Sequence, residues 1–221
     1  MKQSTGSQVF DDLLEGGFES GVLTTIYGPP GSGKTNITML AAATAAEKKK
    51  VIYIDTEGGF SVERLRQLTK NSTKVMGRIL FLRPTTFQQL KADIAKLDTI
   101  MSKQVGMVIV DSIAMLYRTE LAKDAKKTNQ DLAQQVNQLV SIARTFDIPV
   151  LATNQVYADM EIKGQVNMVG GDILRYASKC IIELRKDEKG RTAILKKHRS
   201  IQEKKKVFFL ISQDGIVLDS R

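Results

Sequence analysis

The residues with the clearest chemical meaning form a glycine-rich run near the start of the chain, Gly28-Pro29-Pro30-Gly31-Ser32-Gly33-Lys34-Thr35. The run matches the pattern G-x-x-x-x-G-K-[ST], whose backbone N–H groups close around phosphate oxygens. A strand pattern precedes it and a helical pattern follows, so the loop would also present a helix N-terminus, which favours anions. Lys34 is then expected to reach the terminal phosphates of ATP, and the Thr35 hydroxyl is suited to Mg²⁺.

Three further polar residues stand at or just after the ends of apolar strand patterns. Asp111 is placed where a carboxylate would hold the magnesium ion beside such a phosphate-binding loop. Ligands of open α/β sheets bind at the carboxyl ends of strands, so Glu57 could orient an attacking water and Gln155 could hydrogen-bond a γ-phosphate. By spacing alone, Glu57 is equally well explained as a turn residue and Gln155 as an amide that caps a strand end.

The elements that would position these residues alternate between strand and helix. Strand patterns separated by helical patterns occupy residues 21–27, 51–55, 79–82, 107–111 and 150–154. Short strand patterns then follow one another at 180–184, 192–195, 206–211 and 215–218. Alternation favours parallel strands, and closely spaced strands favour antiparallel hairpins. The sequence therefore predicts an α/β fold with a mostly parallel twisted sheet, flanking helices and a C-terminal antiparallel extension.

Helix and loop signals complete this prediction. A long helix is predicted over about residues 129–146, with Thr128 and Asp131 as a capping box. Residues 117–129 and 157–170 are predicted to be long loops, which are often functional.

The composition restricts the class of protein. The 221 residues are 42% hydrophobic and 26% charged, as in an ordinary folded protein, and we expect one domain over residues 1–221. One cysteine and one histidine exclude a disulfide framework, a cysteine-cluster zinc site and catalysis by paired histidines. Without a membrane-length apolar run or a signal pattern, we expect a cytoplasmic protein with no membrane partner. The histidine, His198, lies among cations and is expected at the surface.

The positive charge of the chain is concentrated near its C-terminus. The net charge is +9, and residues 175–206 contain 12 basic and 4 acidic side chains. A polyanion such as nucleic acid is therefore a plausible partner, although a solvated lysine-rich face is an equally good explanation of charge alone.

Taken together, the motifs resemble the core of the RecA-type recombinases, and most closely the short archaeal RadB proteins. The resemblance runs from about residue 5 to residue 218, nearly the whole chain. Beside the P-loop, it is carried by residues 13–21, Tyr53-Ile54-Asp55-Thr56-Glu57-Gly58, Ile109-Val110-Asp111-Ser112, Thr153-Asn154-Gln155-Val156 and Gly170-Gly171-Asp172. The order and spacing of these segments are more specific than any one of them beyond the P-loop.

The resemblance implies an ATP and Mg²⁺ site and assigns roles within it. Glu57, Lys34 and Gln155 are implied to be catalytic. Gln155 is also implied to sense the γ-phosphate and couple it to DNA, and Arg64 to pack on adenine. The magnesium ligands are implied to be Thr35 and Asp111. The implied nucleotide-binding set is Gly28, Pro29, Pro30, Gly31, Ser32, Gly33, Lys34, Thr35, Asn36 and Arg64.

The resemblance also implies two DNA-facing loops, at residues 113–128 and 156–169. Their candidate phosphate contacts are Lys123, Lys126, Lys127 and Lys163. A further set of cations near the C-terminus, which we call the basic surface, comprises Lys196, Lys197, Arg199, Lys204, Lys205 and Lys206.

The chain departs from the recombinase pattern at its start. The ATPase core begins within the first ten or so residues, so the N-terminal DNA-binding domain and the assembly linker of recombinases are expected to be missing. This predicts weak self-association and slow ATP hydrolysis, since filament ATPases complete their site across subunits.

The implied function is an accessory role in recombination. The expected partners are DNA, preferably single-stranded, a RadA-type recombinase and a Holliday-junction nuclease. The main alternative is a nucleotide-switched adaptor that regulates recombination proteins without hydrolysis or DNA binding of its own. A ring-forming motor ATPase shares the core, and a small-molecule P-loop kinase fits less well.

Overall fold

The computed structural model describes residues 1–158, 166–188 and 190–220, and the DNA-contact candidate Lys163 lies outside them. The helices are α1 (Gln8–Leu13), α2 (Lys34–Ala46), α3 (Val62–Leu68), α4 (Ser72–Met76), α5 (Phe87–Ile100), α6 (Met115–Leu121), α7 (Ala125–Phe146) and α8 (Gly171–Ala177). The strands are β1 (Lys2–Gln3), β2 (Phe18–Glu19), β3 (Leu23–Tyr27), β4 (Lys50–Asp55), β5 (Ile79–Leu82), β6 (Val105–Asp111), β7 (Val150–Asn154), β8 (Val156–Ala158), β9 (Val166–Met168), β10 (Cys180–Asp187), β11 (Gly190–Lys197), β12 (Lys206–Ser212) and β13 (Gly215–Leu218).

A nine-stranded sheet forms the centre of the described residues, in the order β13-β12-β11-β10-β3-β7-β6-β4-β5. Neighbouring strands from β10 to β5 are parallel, whereas β10 to β13 pair antiparallel. The predicted fold class is thus confirmed. Because β3, β4, β6 and β7 run in one direction, the residues that follow them emerge at the same edge of the sheet.

Helices cover both faces of the parallel part of the sheet. Along β4, Tyr53 points into a core shared with α1 and α2, and Ile54 points into a second core shared with α5 and α7. Every residue of β3, β6 and β7 is buried. Strands buried on both faces have continuous apolar sequences, which is why the sequence locates them.

The prediction of a long loop over residues 117–129 is wrong. The segment contains the end of α6 and the start of α7, which begins at Ala125. The helix cap is Asp124, whose carboxylate accepts a hydrogen bond from Lys127 N at 3.0 Å, whereas Thr128 is already helical. The first turn of α7 is exposed and polar, so it contributes no apolar periodicity to the sequence.

The segment predicted as the second long loop is structured at both ends. Strands β8 and β9 pair antiparallel, with Val156 opposite Met168, and residues 159–165 between them lie outside the described residues.

The prediction of a surface position for His198 is also wrong, because its side chain is only 1% exposed. Its Nδ1 accepts hydrogen bonds from the backbone N–H groups of Ser200 and Ile201, at 3.2 and 3.1 Å. Burial lowers the pKa of His198, while the nearby Glu19 carboxylate opposes that shift.

The sequence also predicts that no segment spans a membrane. Among the described helices, none has both the length and the apolar character that crossing a bilayer requires.

Candidate functional site

The glycine-rich run joins β3 to α2 at the edge of the sheet. Gly31 and Gly33 have φ angles of 72° and 108°, a region that favours glycine. A Cβ on Gly28 would lie 2.5 Å from the carbonyl oxygen of Leu184 on the neighbouring β10. The Ser32 hydroxyl is buried and has no hydrogen-bond partner among the described residues. A tight cradle with an unpaired hydroxyl in its wall fits a phosphate group.

Lys34 closes this cradle from inside. Its Nζ donates hydrogen bonds to the carbonyl oxygens of Gly28 and Pro29, at 2.8 and 3.1 Å. Burial lowers the pKa of Lys34, and the carboxylates of Glu57 and Asp111 oppose that shift. The ammonium group therefore lies within the field of both predicted site carboxylates.

Asp111 ends β6 and is buried. Its Oδ1 accepts a hydrogen bond from the Thr153 hydroxyl at 2.5 Å, and its Oδ2 accepts one from the Tyr53 hydroxyl at 2.9 Å. Burial raises its pKa, and hydrogen bonds from Thr153, Thr35 and Tyr53 oppose that rise. A buried carboxylate beside a threonine hydroxyl is stabilised by a cation, so these residues fit Mg²⁺. Among the described residues, no group of three or more His, Cys, Asp or Glu side chains is arranged so that it could hold a metal ion.

The loop that carries Glu57 is shaped by Asp55. The Asp55 carboxylate accepts hydrogen bonds from three backbone N–H groups within residues 57–60, each at 3.2 Å. Glu57 Oε1 in turn accepts hydrogen bonds from the Ser112 hydroxyl at 2.6 Å and from Gln155 Nε2 at 2.9 Å. Oε2 accepts no hydrogen bond from the described residues. The carboxylate is therefore oriented through one oxygen, while the other remains able to bind water.

Gln155 connects this carboxylate to α6. Its Nε2 donates to Glu57, and its Oε1 accepts a hydrogen bond from Arg118 Nη1 at 3.1 Å. We call the series Glu57–Gln155–Arg118 the glutamine bridge. The reasoning from sequence missed Arg118, because one arginine in a segment predicted as a loop carries no spacing signal.

A cleft of about 310 Å³ lies beside the P-loop. Its walls include Asn36 and Glu57 from the predicted site. They also include Arg191 of β11 and Ile211 of β12, which the sequence reasoning did not identify. The antiparallel extension therefore forms part of the wall of the cleft beside the P-loop.

Arg64 stands near this cleft on α3, where it joins three elements. Its Nε donates to Asn36 Oδ1 at 2.9 Å. Its terminal nitrogens donate to the carbonyl oxygens of Ser212 and Gln213, at 2.9 and 2.7 Å. Packing of Arg64 on adenine stays a prediction.

A larger cleft, of about 700 Å³, is formed where the two segments implied to face DNA come together. Arg118 lines it, so the glutamine bridge extends from the P-loop region to this second cleft. The other lining residues are Tyr117, Leu121, Asn129, Tyr157, Val169, Gly170, Gly171, Asp172 and Ile173.

The candidate lysines of the first implied DNA loop, Lys123, Lys126 and Lys127, lie around the start of α7. Lys123 forms an ion pair with Glu120 at 3.0 Å, and both side chains belong to the α6–α7 region. Lys126 and Lys127 are exposed on the first turn of α7.

The first half of the basic surface is paired with acceptors of the same chain. Lys196 lies 3.2 Å from Glu183, and Arg199 lies 3.0 Å from Glu19. Lys197 donates to a carbonyl oxygen of α8 at 2.7 Å.

The second half lies in the connection from β11 to β12 and at the first residue of β12. Lys205 donates to the Asp12 carbonyl oxygen at 2.9 Å. Lys206 is exposed, with its Nζ 5.5 Å from the centre of the Phe208 ring, and Lys204 has a φ of 67°.

Comparisons of the chain with a family model, with curated proteins and with solved structures all match it to one family. The family model described as Rad51 matches residues 1–219. The chain is 40% identical over 216 residues to the DNA repair and recombination protein RadB of Methanobrevibacter smithii, covering 94% of this chain and 92% of that protein. It is 42% identical over 218 residues to RadB of Methanoculleus marisnigri, covering 96% of each. A solved structure described as the RadB recombinase has a TM-score of 0.84 at 36% identity, covering 97% of this chain and 98% of the other.

Proposed function

The chain belongs to the Rad51 family and, within it, to the RadB proteins, and we propose on this premise that it is an ATP- and DNA-binding protein of homologous recombination and DNA repair. Its hydrolysis of ATP is slow, and it acts as an accessory to a RadA-type recombinase or a Holliday-junction nuclease. A cytoplasmic location belongs to the same proposal.

The observation that carries this proposal is the glutamine bridge. The bridge joins Glu57, at the P-loop, to Arg118, which lines the larger cleft. The Gln155 amide contacts both Glu57 and Arg118, so it can change partners when a γ-phosphate enters or leaves the cleft beside the P-loop. Nucleotide state and DNA affinity are then coupled through one side chain, Gln155.

In the proposed reaction, each residue has a separate task. Lys34 and the P-loop N–H groups bind and orient the phosphates. Mg²⁺, held by Thr35 and Asp111, supplies Lewis-acid stabilisation of phosphate charge when bound. Glu57 Oε2 orients water and accepts its proton, while Oε1 stays fixed by the hydrogen bond from Ser112.

For DNA, we propose that single strands bind across the larger cleft. Tyr157 is 52% exposed at this cleft, and an exposed aromatic ring can stack on unpaired bases. The lysines at the start of α7 and those of the basic surface would contact phosphates.

The direct test is binding of a labelled single-stranded oligonucleotide across a salt series, with and without ATP. We expect affinity to fall steeply with salt, with ATP changing it. Lys126→Gln/Lys127→Gln should weaken binding about tenfold at low salt and reduce the salt slope by about 2. The control Lys96→Gln/Lys103→Gln removes the same charge from exposed positions around α5, and we expect wild-type binding.

One observation favours the adaptor as a second candidate. Several cations of the basic surface already bond to acceptors of their own chain, as Arg199 does to Glu19. Absence of DNA binding at low salt, together with ATP-dependent binding of a RadA-type recombinase, would establish the adaptor instead.

A further inference from the structure

Two cations of the antiparallel extension lie beside the P-loop, although neither belongs to its motif. Lys186 of β10 and Arg191 of β11 are cross-strand partners in one hairpin. Arg191 Nε donates to the Gly31 carbonyl oxygen at 3.2 Å. Lys186 Nζ lies 3.4 Å from the position that a Cβ of Gly31 would occupy. The hairpin therefore packs its two cations against the middle of the glycine-rich run.

These two side chains keep unpaired donors. Among the described residues, neither Lys186 Nζ nor the terminal nitrogens of Arg191 form a hydrogen bond or an ion pair. Two neighbouring cations of the same strands do form ion pairs, since Arg185 and Lys196 both pair with the Glu183 carboxylate. Among the described cations of the hairpin, Lys186 and Arg191 thus form no ion pair, and both lie beside Gly31.

The position of Arg191 indicates what it could bind. It lines the 310 Å³ cleft together with Lys34 and Thr35, which are expected to contact the phosphates and their magnesium ion. A guanidinium group with free N–H donors is well suited to phosphate oxygens.

We propose that Lys186 and Arg191 form a cationic clamp on the phosphate groups of the bound nucleotide, supplied by the same chain. The inference rests on the proposed ATP binding and adds two residues to that site. Because the clamp comes from the chain's own hairpin, phosphate recognition requires no second subunit. Nucleotide affinity should consequently be independent of protein concentration.

The experiment is calorimetric titration with ATP and with ADP in Mg²⁺ buffer. The affinity for adenosine is measured by its competition with ATP. Arg191→Gln should weaken ATP and ADP binding about tenfold, and the double variant with Lys186→Gln about thirtyfold, while adenosine binding is unchanged. Lys179→Gln removes an equal charge from the exposed residue before β10 and should retain wild-type affinity. Circular dichroism melts establish that each variant is folded.

The outcomes separate the clamp from the proposed function. A folded double variant that binds ATP within about twofold of wild type overturns the clamp and leaves ATP binding intact. Equal losses for ATP and adenosine also overturn it, because the two residues would then shape the cleft without binding phosphate. A folded wild-type protein that binds no ATP overturns the proposed function, and the clamp with it.

Discussion

The proposed nucleotide site and the basic surface differ in how their charges are held. At the nucleotide site, Asp111 is 2% exposed and takes hydrogen bonds from buried hydroxyls, and Asp55 holds a whole loop through backbone N–H groups. On the basic surface, Lys196 and Arg199 are 43% and 58% exposed, and they pair with Glu183 and Glu19 side chains that are 5% and 10% exposed. A solvent-exposed cation is held only loosely by such a pair, whereas a buried hydrogen-bonded carboxylate is fixed in place.

This difference has a functional meaning. A site that positions water and phosphate must be ordered before the ligand arrives, since misplacement by about 1 Å is costly to reaction rate. A surface that binds a polyanion through counterion release needs positive charge more than fixed geometry. We therefore expect single substitutions to have large effects at the nucleotide site and small ones on the basic surface.

Gly28→Ala should have the largest effect. Its methyl group would meet the Leu184 carbonyl oxygen at 2.5 Å, and that oxygen belongs to a paired strand. We expect the free energy of unfolding to fall by about 3 kcal/mol and ATP affinity to be lost. Guanidinium denaturation followed by circular dichroism measures the first change.

Gly77→Ala is the matched control, because Gly77 has a φ of −65° and its nearest contact to an added Cβ is 3.6 Å. We expect its stability to stay within about 0.5 kcal/mol of wild type. Equal losses in the two variants would contradict the role of close approach at Gly28.

Glu57→Gln tests the oriented carboxylate. The substitution keeps the size of the side chain and an acceptor for Ser112, but it removes the charge that accepts a proton. We expect hydrolysis to slow about 100-fold, with ATP affinity changed by less than about threefold. Single-turnover phosphate release measures the rate, and Glu63→Gln on α3 is the exposed control. An unchanged rate would leave Glu57 as a turn residue.

Arg118→Gln tests whether the glutamine bridge couples the two clefts. We expect the ratio of DNA affinities with and without ATP to fall about fivefold, because the bridge loses its contact on α6. Lys123→Gln removes the same charge nearby and should lower DNA affinity without changing that ratio. If both variants lower affinity equally and keep the ratio, Arg118 acts only as a phosphate-binding cation.

Parts of the molecule could be predicted from sequence because the necessary information is local. The P-loop is eight consecutive residues. Asp111, Glu57 and Gln155 stand at or just after the ends of apolar strands, whose shared direction places all three at one edge of the sheet. The fold class follows from the same strand pattern, and the comparison with known proteins confirms the family.

The remaining features depend on contacts between distant segments. Arg191 reaches Gly31 across 160 positions of sequence, and it does so through the pairing of β11 with β10. The predicted helix over about residues 129–146 begins earlier, at Ala125 after the cap Asp124, because its charged first turn carries no apolar spacing. His198, which follows β11, is buried, and its ring accepts hydrogen bonds from two backbone N–H groups. Neither spacing nor charge in a single sequence encodes such contacts.

Lys206→Gln should have a small effect on DNA binding, in line with an exposed cation. We expect the dissociation constant for a single-stranded oligonucleotide to rise about threefold and the salt slope to fall by about 1. Binding of the labelled single-stranded oligonucleotide across the salt series measures both. A loss of DNA affinity above about 100-fold would contradict the expected difference, because it would show that Lys206 needs a fixed position as the residues of the P-loop cleft do.

The smallest effect concerns His198, a buried group next to the basic surface. Burial lowers its pKa despite the opposing Glu19 carboxylate, so the folded protein favours the neutral ring. The stability it contributes is present above the unfolded pKa of about 6.5 and is lost as pH falls through the lowered folded pKa. Because the chain has one histidine, proton NMR titration reads this pKa directly. The melting temperature of His198→Asn should also fall less between about pH 7.5 and 5.5 than that of wild type. A pKa above the unfolded value would mean that Glu19 outweighs burial, and the slope of stability with pH would then have the opposite sign.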